Sequence, residues 1–137
     1  MHHILHFNHL AILVSALILW FLGAAWYSPA LFAKPWMAMV GTPKDAAKSK
    51  TMIAGMISSF IGDLLLAFIL AHMVKWAGAD SFGFGAFIGG IVWLGFFAAP
   101  AFPQGIYESR PFKLFAINAG YWLVGLLIVG GLLAVWP

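Results

Sequence analysis

The stretch TMIAGMISSFIGDLLLAFILAHMVKW, residues 51–76, decides the fold. Between Thr51 and Lys75 its one charged side chain is Asp63. A bilayer core of about 30 Å is crossed by roughly 20 mostly apolar residues in a helix, and this run is long enough. It is continuous, without the alternation of a membrane β-strand. Backbone N–H and C=O groups in lipid must be satisfied within the segment, so the run is a helix. Three further runs have the same character, at about residues 10–27, 82–104 and 112–136. The sequence therefore predicts one transmembrane domain over residues 1–137, an all-α integral membrane four-helix bundle.

Composition supports that class. Hydrophobic residues make up 64% of the 137-residue chain and charged residues 8%, against roughly 45–50% and 25% in soluble domains. Seven Lys and Arg and four Asp and Glu are too few to cover a soluble surface. An ordinary globular enzyme, a disordered segment and a nucleic-acid binder are excluded on that ground. The chain has no cysteine, so disulfides, thiolate metal sites and Cys nucleophiles are excluded too.

Orientation follows from the basic residues. Lys34, Lys44, Lys48 and Lys50 fall in the first loop, and Arg110 and Lys113 at the third; Lys75 stands alone on the opposite side. Both termini are therefore expected outside and the two basic loops in the cytoplasm. The first run lacks Lys and Arg before it and a convincing cleavage site, so it is expected to stay as an anchor. Trp26, Tyr27, Trp36, Trp76, Tyr107 and Trp136 fall at the expected interfaces, where amphipathic rings settle. A basic residue, a proline and an aromatic follow both odd runs, as Lys34-Pro35-Trp36 and Arg110-Pro111-Phe112. Either the bundle consists of two parallel two-helix repeats, or cytoplasmic interfaces simply collect such residues.

Two stretches resemble a known family. They are Gly23-Ala24-Ala25-Trp26-Tyr27-Ser28-Pro29 with Phe32-Ala33-Lys34-Pro35-Trp36, and Tyr107-Glu108-Ser109-Arg110-Pro111-Phe112-Lys113-Leu114-Phe115 with Ile117-Asn118-Ala119-Gly120-Tyr121-Trp122. Both are similar to the uncharacterised bacterial membrane proteins grouped as domain of unknown function 1761. The resemblance implies a compact four-helix protein of the bacterial cytoplasmic membrane. It implies no activity, substrate or cofactor.

Asp63 is the sharpest candidate for chemistry. It lies midway along its run, where a charge costs at least about 2.5–3.5 kcal/mol, so it should face protein or water. The expected intramembrane polar site groups Asp63 and Ser59 with Asn118, Trp93 and Trp122, and an indole N–H of Trp20, Trp93 or Trp122 could meet the carboxyl. Gly55, Ser59, Asp63, Ala67 and Ala71 recur every fourth residue as a ridge permitting close helix contact. The site is either a proton or cation site, or an interhelical hydrogen bond that fixes packing.

A second cluster, on the cytoplasmic face, comprises Tyr27, Lys34, Glu108, Arg110 and Lys113. Glu108 paired with Lys34 or Arg110 could staple the exits of the odd helices together, and the same groups could hold a lipid phosphate or anionic solute. His2, His6, His9 and His72 sit at the outer end, where imidazoles could bind a divalent metal or stand merely solvated. No other cofactor is expected. Pro100 and Pro103 should kink or break the third helix. Gly85 and Gly89, four residues apart, suit close packing.

No Gly-x-Ser-x-Gly elbow, P-loop, dinucleotide fingerprint or paired intramembrane carboxylates occur, so no enzymatic activity is expected. Two functions remain. One is a proton- or cation-linked small-solute transporter or channel using Asp63. The other is a non-catalytic accessory or scaffold subunit of a larger membrane complex. A homo-oligomer in the lipid bilayer, with no nucleic-acid partner, is expected in either case. The charge bias makes the topology testable: a reporter fused after Pro137 should behave as periplasmic and one inserted in residues 41–49 as cytoplasmic. A cytoplasmic C-terminus would overturn the orientation.

Overall fold

The computed structural model describes residues 8–40 and 50–136. Four long apolar helices fall on the four apolar runs, each long enough to cross a bilayer; the chain is a multi-pass membrane protein with an all-helical bundle. The first span is α1, His9–Trp26. A short helix, α2, follows at Ala33–Val40. The second span lies within α3, Lys50–Ala77. The third, Phe82–Tyr107, joins α4 (Phe82–Val92) to α5 (Ala99–Tyr107) through a π-helical segment, Trp93–Ala98. The fourth is α6, Phe112–Val135.

Local chemistry sets the ends. Asn8 Oδ1 accepts from the N–H groups of Leu10 at 2.9 Å and Ala11 at 3.2 Å, satisfying donors that the first turn leaves unpaired. Ser81 Oγ does the same for Phe84 at 3.1 Å. Gly78 closes α3 in the left-handed region at φ +71°, with the Ala79 N–H returning 3.1 Å to the Val74 carbonyl, a Schellman closure. Ser109, at φ 56°, gives α5 the same closure, with Arg110 N–H on the Gly105 carbonyl at 2.9 Å.

Helix α6 is the most buried of the four spans and packs against α4, α1 and α3. Leu19, Leu70, Val74, Leu126 and Val129 form the buried centre. The α4–α6 crossing is the tightest. A Cβ at Gly89 would overlap the Leu126 carbonyl oxygen, one at Gly85 the Gly130 oxygen, and one at Gly130 the Gly85 oxygen. Only residues without a Cβ let two helix backbones approach so closely.

The small-residue ridge of α3 is used along half its length. Ala67 and Ala71 are buried with Ile12 of α1. Gly55 and Ser59 are exposed, and a Cβ at Gly55 or Gly62 would meet nothing within 4 Å. Helices α1 and α3 are thus packed above Asp63 and open below it.

Two features depart from expectation. Residues 34–36, taken from sequence as loop, lie within α2, where Pro35 sits in the first turn and its missing N–H costs nothing. Of the kink or break expected at Pro100 and Pro103, the break does not occur; the third span continues to Tyr107. The wider π-helical segment just before Pro100 provides the local adjustment by which a membrane helix absorbs a proline.

The crossing can be tested by unfolding the protein in mixed micelles of increasing SDS fraction. Gly89→Val should lower stability by the ~1–3 kcal/mol of an overpacked contact. Gly83→Ala, on the same helix with open space around it, should be neutral or stabilising by up to ~1 kcal/mol.

Candidate functional site

Below Asp63 the diverging helices enclose a groove of about 800 Å³. Helix α3 presents Met52, Gly55, Met56, Ser59, Gly62 and Asp63 to it, residues three and four apart that share one helix face. Trp20, Phe21, Gly23, Ala24 and Tyr27 line it from the end of α1, Trp36 from α2, and Tyr121 and Trp122 from α6. From Met52 to Asp63 the groove rises about 16 Å at 1.5 Å per residue. It therefore runs from the membrane face carrying α2 to the middle of the bilayer, with Asp63 at its inner end.

Asp63 is 4% exposed and lines this groove. Among the described residues its carboxyl has no hydrogen-bond or ion-pair partner, and no Lys or Arg lines the groove. Two of the three indoles expected beside it are committed elsewhere: Trp20 Nε1 donates to the Met56 carbonyl at 3.2 Å, and Trp93 Nε1 to the Ala119 carbonyl at 2.8 Å; the third, Trp122, lines the groove with Asp63. A helical carbonyl keeps a second lone pair after its i→i+4 bond, so such donors need not break the helix.

Aromatic side chains shape the rest. The Tyr121 hydroxyl donates to the Leu19 carbonyl at 2.6 Å, and its ring contacts Trp122 and Tyr27 with centroids 4.7 and 5.8 Å away. Trp36 packs edge-on against Tyr27 at 5.5 Å. Gly23 leaves room for the Tyr121 ring, since a Cβ there would sit 3.2 Å from its hydroxyl. Two bonds tie the end of α1 to α6. Trp26 Nε1 donates to the Ile117 carbonyl at 2.9 Å, and the Tyr27 hydroxyl to Asn118 Oδ1 at 2.6 Å.

Of the five residues expected in the intramembrane site, the groove brings together Asp63, Ser59 and Trp122. Trp93 serves the α6 backbone, and Asn118, besides holding Tyr27, lines a separate recess of about 320 Å³ beside α5. Glu108 and Arg110 line that recess too. They pair within their own loop, with Arg110 Nε on Glu108 Oε1 at 2.8 Å. Glu108 therefore does not staple the odd helices together; the exit of α1 is fastened to α6 instead. The Gln104 amide, 2.6 Å from Glu108 Oε2, and then Arg110 hold the Glu108 carboxyl below its usual range. Lys34 and Lys113 are exposed.

His2 and His6 lie outside the described residues. His9 opens α1. His72 contacts the rings of Phe68 and Trp76, with Nδ1 2.8 Å from the Phe68 carbonyl. Among the described residues no three metal-ligating side chains gather. Sequence reasoning missed Tyr121, Trp36, Met52 and Met56 as groove residues. The helical spacing of Met52, Met56, Ser59 and Asp63 was the available signal.

The family described as a protein of unknown function, DUF1761, matches residues 10–134, nearly the whole chain, and the chain belongs to that family. No curated protein and no solved structure matches it.

The α1–α6 fastening predicts that Tyr27→Phe lowers stability in SDS-titrated micelles by the ~0.6–2 kcal/mol of an interhelical hydrogen bond in membranes. Tyr107→Phe, at a position 88% exposed, should leave it unchanged.

Proposed function

We propose that this DUF1761 protein is a small transporter or channel subunit, not an enzyme, in which Asp63 carries the proton or cation. The observation that carries this reading is the position of Asp63, a carboxyl without a partner among the described residues, at the inner end of an open groove. A carboxyl serving only packing should meet a donor on a neighbouring helix, because an unpaired acid at that depth costs at least ~2.5–3.5 kcal/mol. Two of the donors that line the groove, Trp20 and Tyr121, serve carbonyls instead.

In this reading the groove is a half-channel from the α2 face to the midplane, and the outward half opens by movement of α1 against α3. The bacterial cytoplasmic membrane is its setting. Self-association of the chain in that membrane completes the reading.

Asp63→Asn keeps size and hydrogen bonding but cannot exchange a proton near neutral pH. In proteoliposomes with entrapped pyranine and a valinomycin-set potassium potential, wild type should acidify the lumen several-fold faster than Asp63→Asn. Equal rates would remove the transport reading. Asp63→Leu addresses the accessory reading independently: a packing role predicts loss of assembly, whereas an unpartnered carboxyl predicts an intact and more SDS-resistant bundle.

A further inference from the structure

We infer that the groove binds a lipophilic organic cation, a body of aromatic or alkyl groups bearing one positive centre, with that centre at Asp63. The inference rests on the reading of Asp63 as a working carboxyl and adds the chemical class of its ligand. Three properties of the groove select the class. First, it ends in a nearly buried carboxyl that no described cationic side chain neutralises, so the missing charge is positive. An anion would meet that carboxylate with no Lys or Arg among the described lining residues to offset it.

Second, the walls are aromatic. Trp20, Phe21, Tyr27, Trp36, Tyr121 and Trp122 all face the space, and indole and phenol faces attract cations, most strongly where water is excluded. A small inorganic cation fits poorly. Calcium needs a shell of six or more oxygen ligands, and beside Asp63 the described side chains of the lining offer as oxygens only the Ser59, Tyr27 and Tyr121 hydroxyls, the last two engaged with Asn118 and Leu19. The volume, about 800 Å³, is that of a small-molecule site, roughly 300–1,000 Å³.

Third, the rim faces lipid. Phe21, Met52 and Met56 line the groove and are 61%, 48% and 45% exposed on membrane-spanning helices. A ligand that partitions into the bilayer reaches the groove sideways, without passing the basic residues Lys34 and Lys50 near the α2 face. Neutral lipid tails could occupy the apolar walls but would leave the carboxyl uncompensated.

Tetraphenylphosphonium is the probe, with tetraphenylborate as its isostere of opposite charge. Equilibrium dialysis against the full-length protein in lipid nanodiscs should show saturable binding of the phosphonium, at least tenfold tighter than of the borate. Asp63→Asn should weaken it at least tenfold, Asp63→Glu should retain it, and Trp20→Leu should weaken it several-fold. Equal binding of the two isosteres to wild type, which needs no variant, would overturn the inference. So would undiminished phosphonium binding by a folded Asp63→Asn protein. The transport reading is separable: proton flux that depends on Asp63 without phosphonium binding removes only the ligand class, and binding without flux removes only transport.

Discussion

The backbones of α4 and α6 touch at Gly85, Gly89 and Gly130, and the rest of the bundle is arranged around that contact. Lipid tails are as apolar as leucine, so burying apolar side chains gives membrane helices no net reason to associate. Close van der Waals approach and hydrogen bonding must do it. Gly89 against the Leu126 carbonyl and Gly85 against the Gly130 carbonyl supply the first, turning the third and fourth spans into a rigid pair. Trp93 Nε1 on the Ala119 carbonyl adds the second. α6 can then serve as the post to which α1 is fastened, through Trp26 on Ile117 and Tyr121 on Leu19.

Side-chain size decides where the remaining helices close. Above Asp63, α3 offers Ala67 and Ala71, and α1 can come in far enough to bury Ile12 beside them. Below it, α1 turns from Ala16 and Leu19 to Trp20, Trp26 and Tyr27. Large rings there are held at a distance by their own bulk and by hydrogen bonds to α3 and α6 carbonyls. The groove results from replacing small residues by aromatic ones along one helix, and Asp63 stands at the changeover.

Much of this was legible in the sequence because lipid is a strict solvent. Continuous apolar runs bounded by Trp and Tyr could become nothing but spanning helices, and the spacing of Gly85 and Gly89 marked a close crossing. The depth of Asp63 followed from counting residues. What could not be read was the pairing of donors with acceptors. An indole can reach a carbonyl or a carboxylate equally well, and only the rotation of each helix sent Trp20 and Trp93 to backbone oxygens. Asn118 left the expected site for the same reason: helix rotation turned it toward Tyr27. The short helix α2 escaped because eight residues with a proline give too little periodicity, and the π-helical segment because its cause, Pro100, lies beyond it.

Ser15 shows what distinguishes a site from a defect. Its hydroxyl is also buried without a partner among the described residues, on the same helix as the groove. An unsatisfied neutral hydroxyl costs about 1–3 kcal/mol, comparable with the penalty for the acid at Asp63. Yet Ser15 is completely sealed, so no solute can reach it, and its cost is simply a flaw in packing that the bundle tolerates. Asp63 has a similar deficit but opens on a space large enough for a molecule. A buried polar group becomes chemically useful only when something outside the protein can complete its bonding. Access, more than depth or charge, separates the two residues.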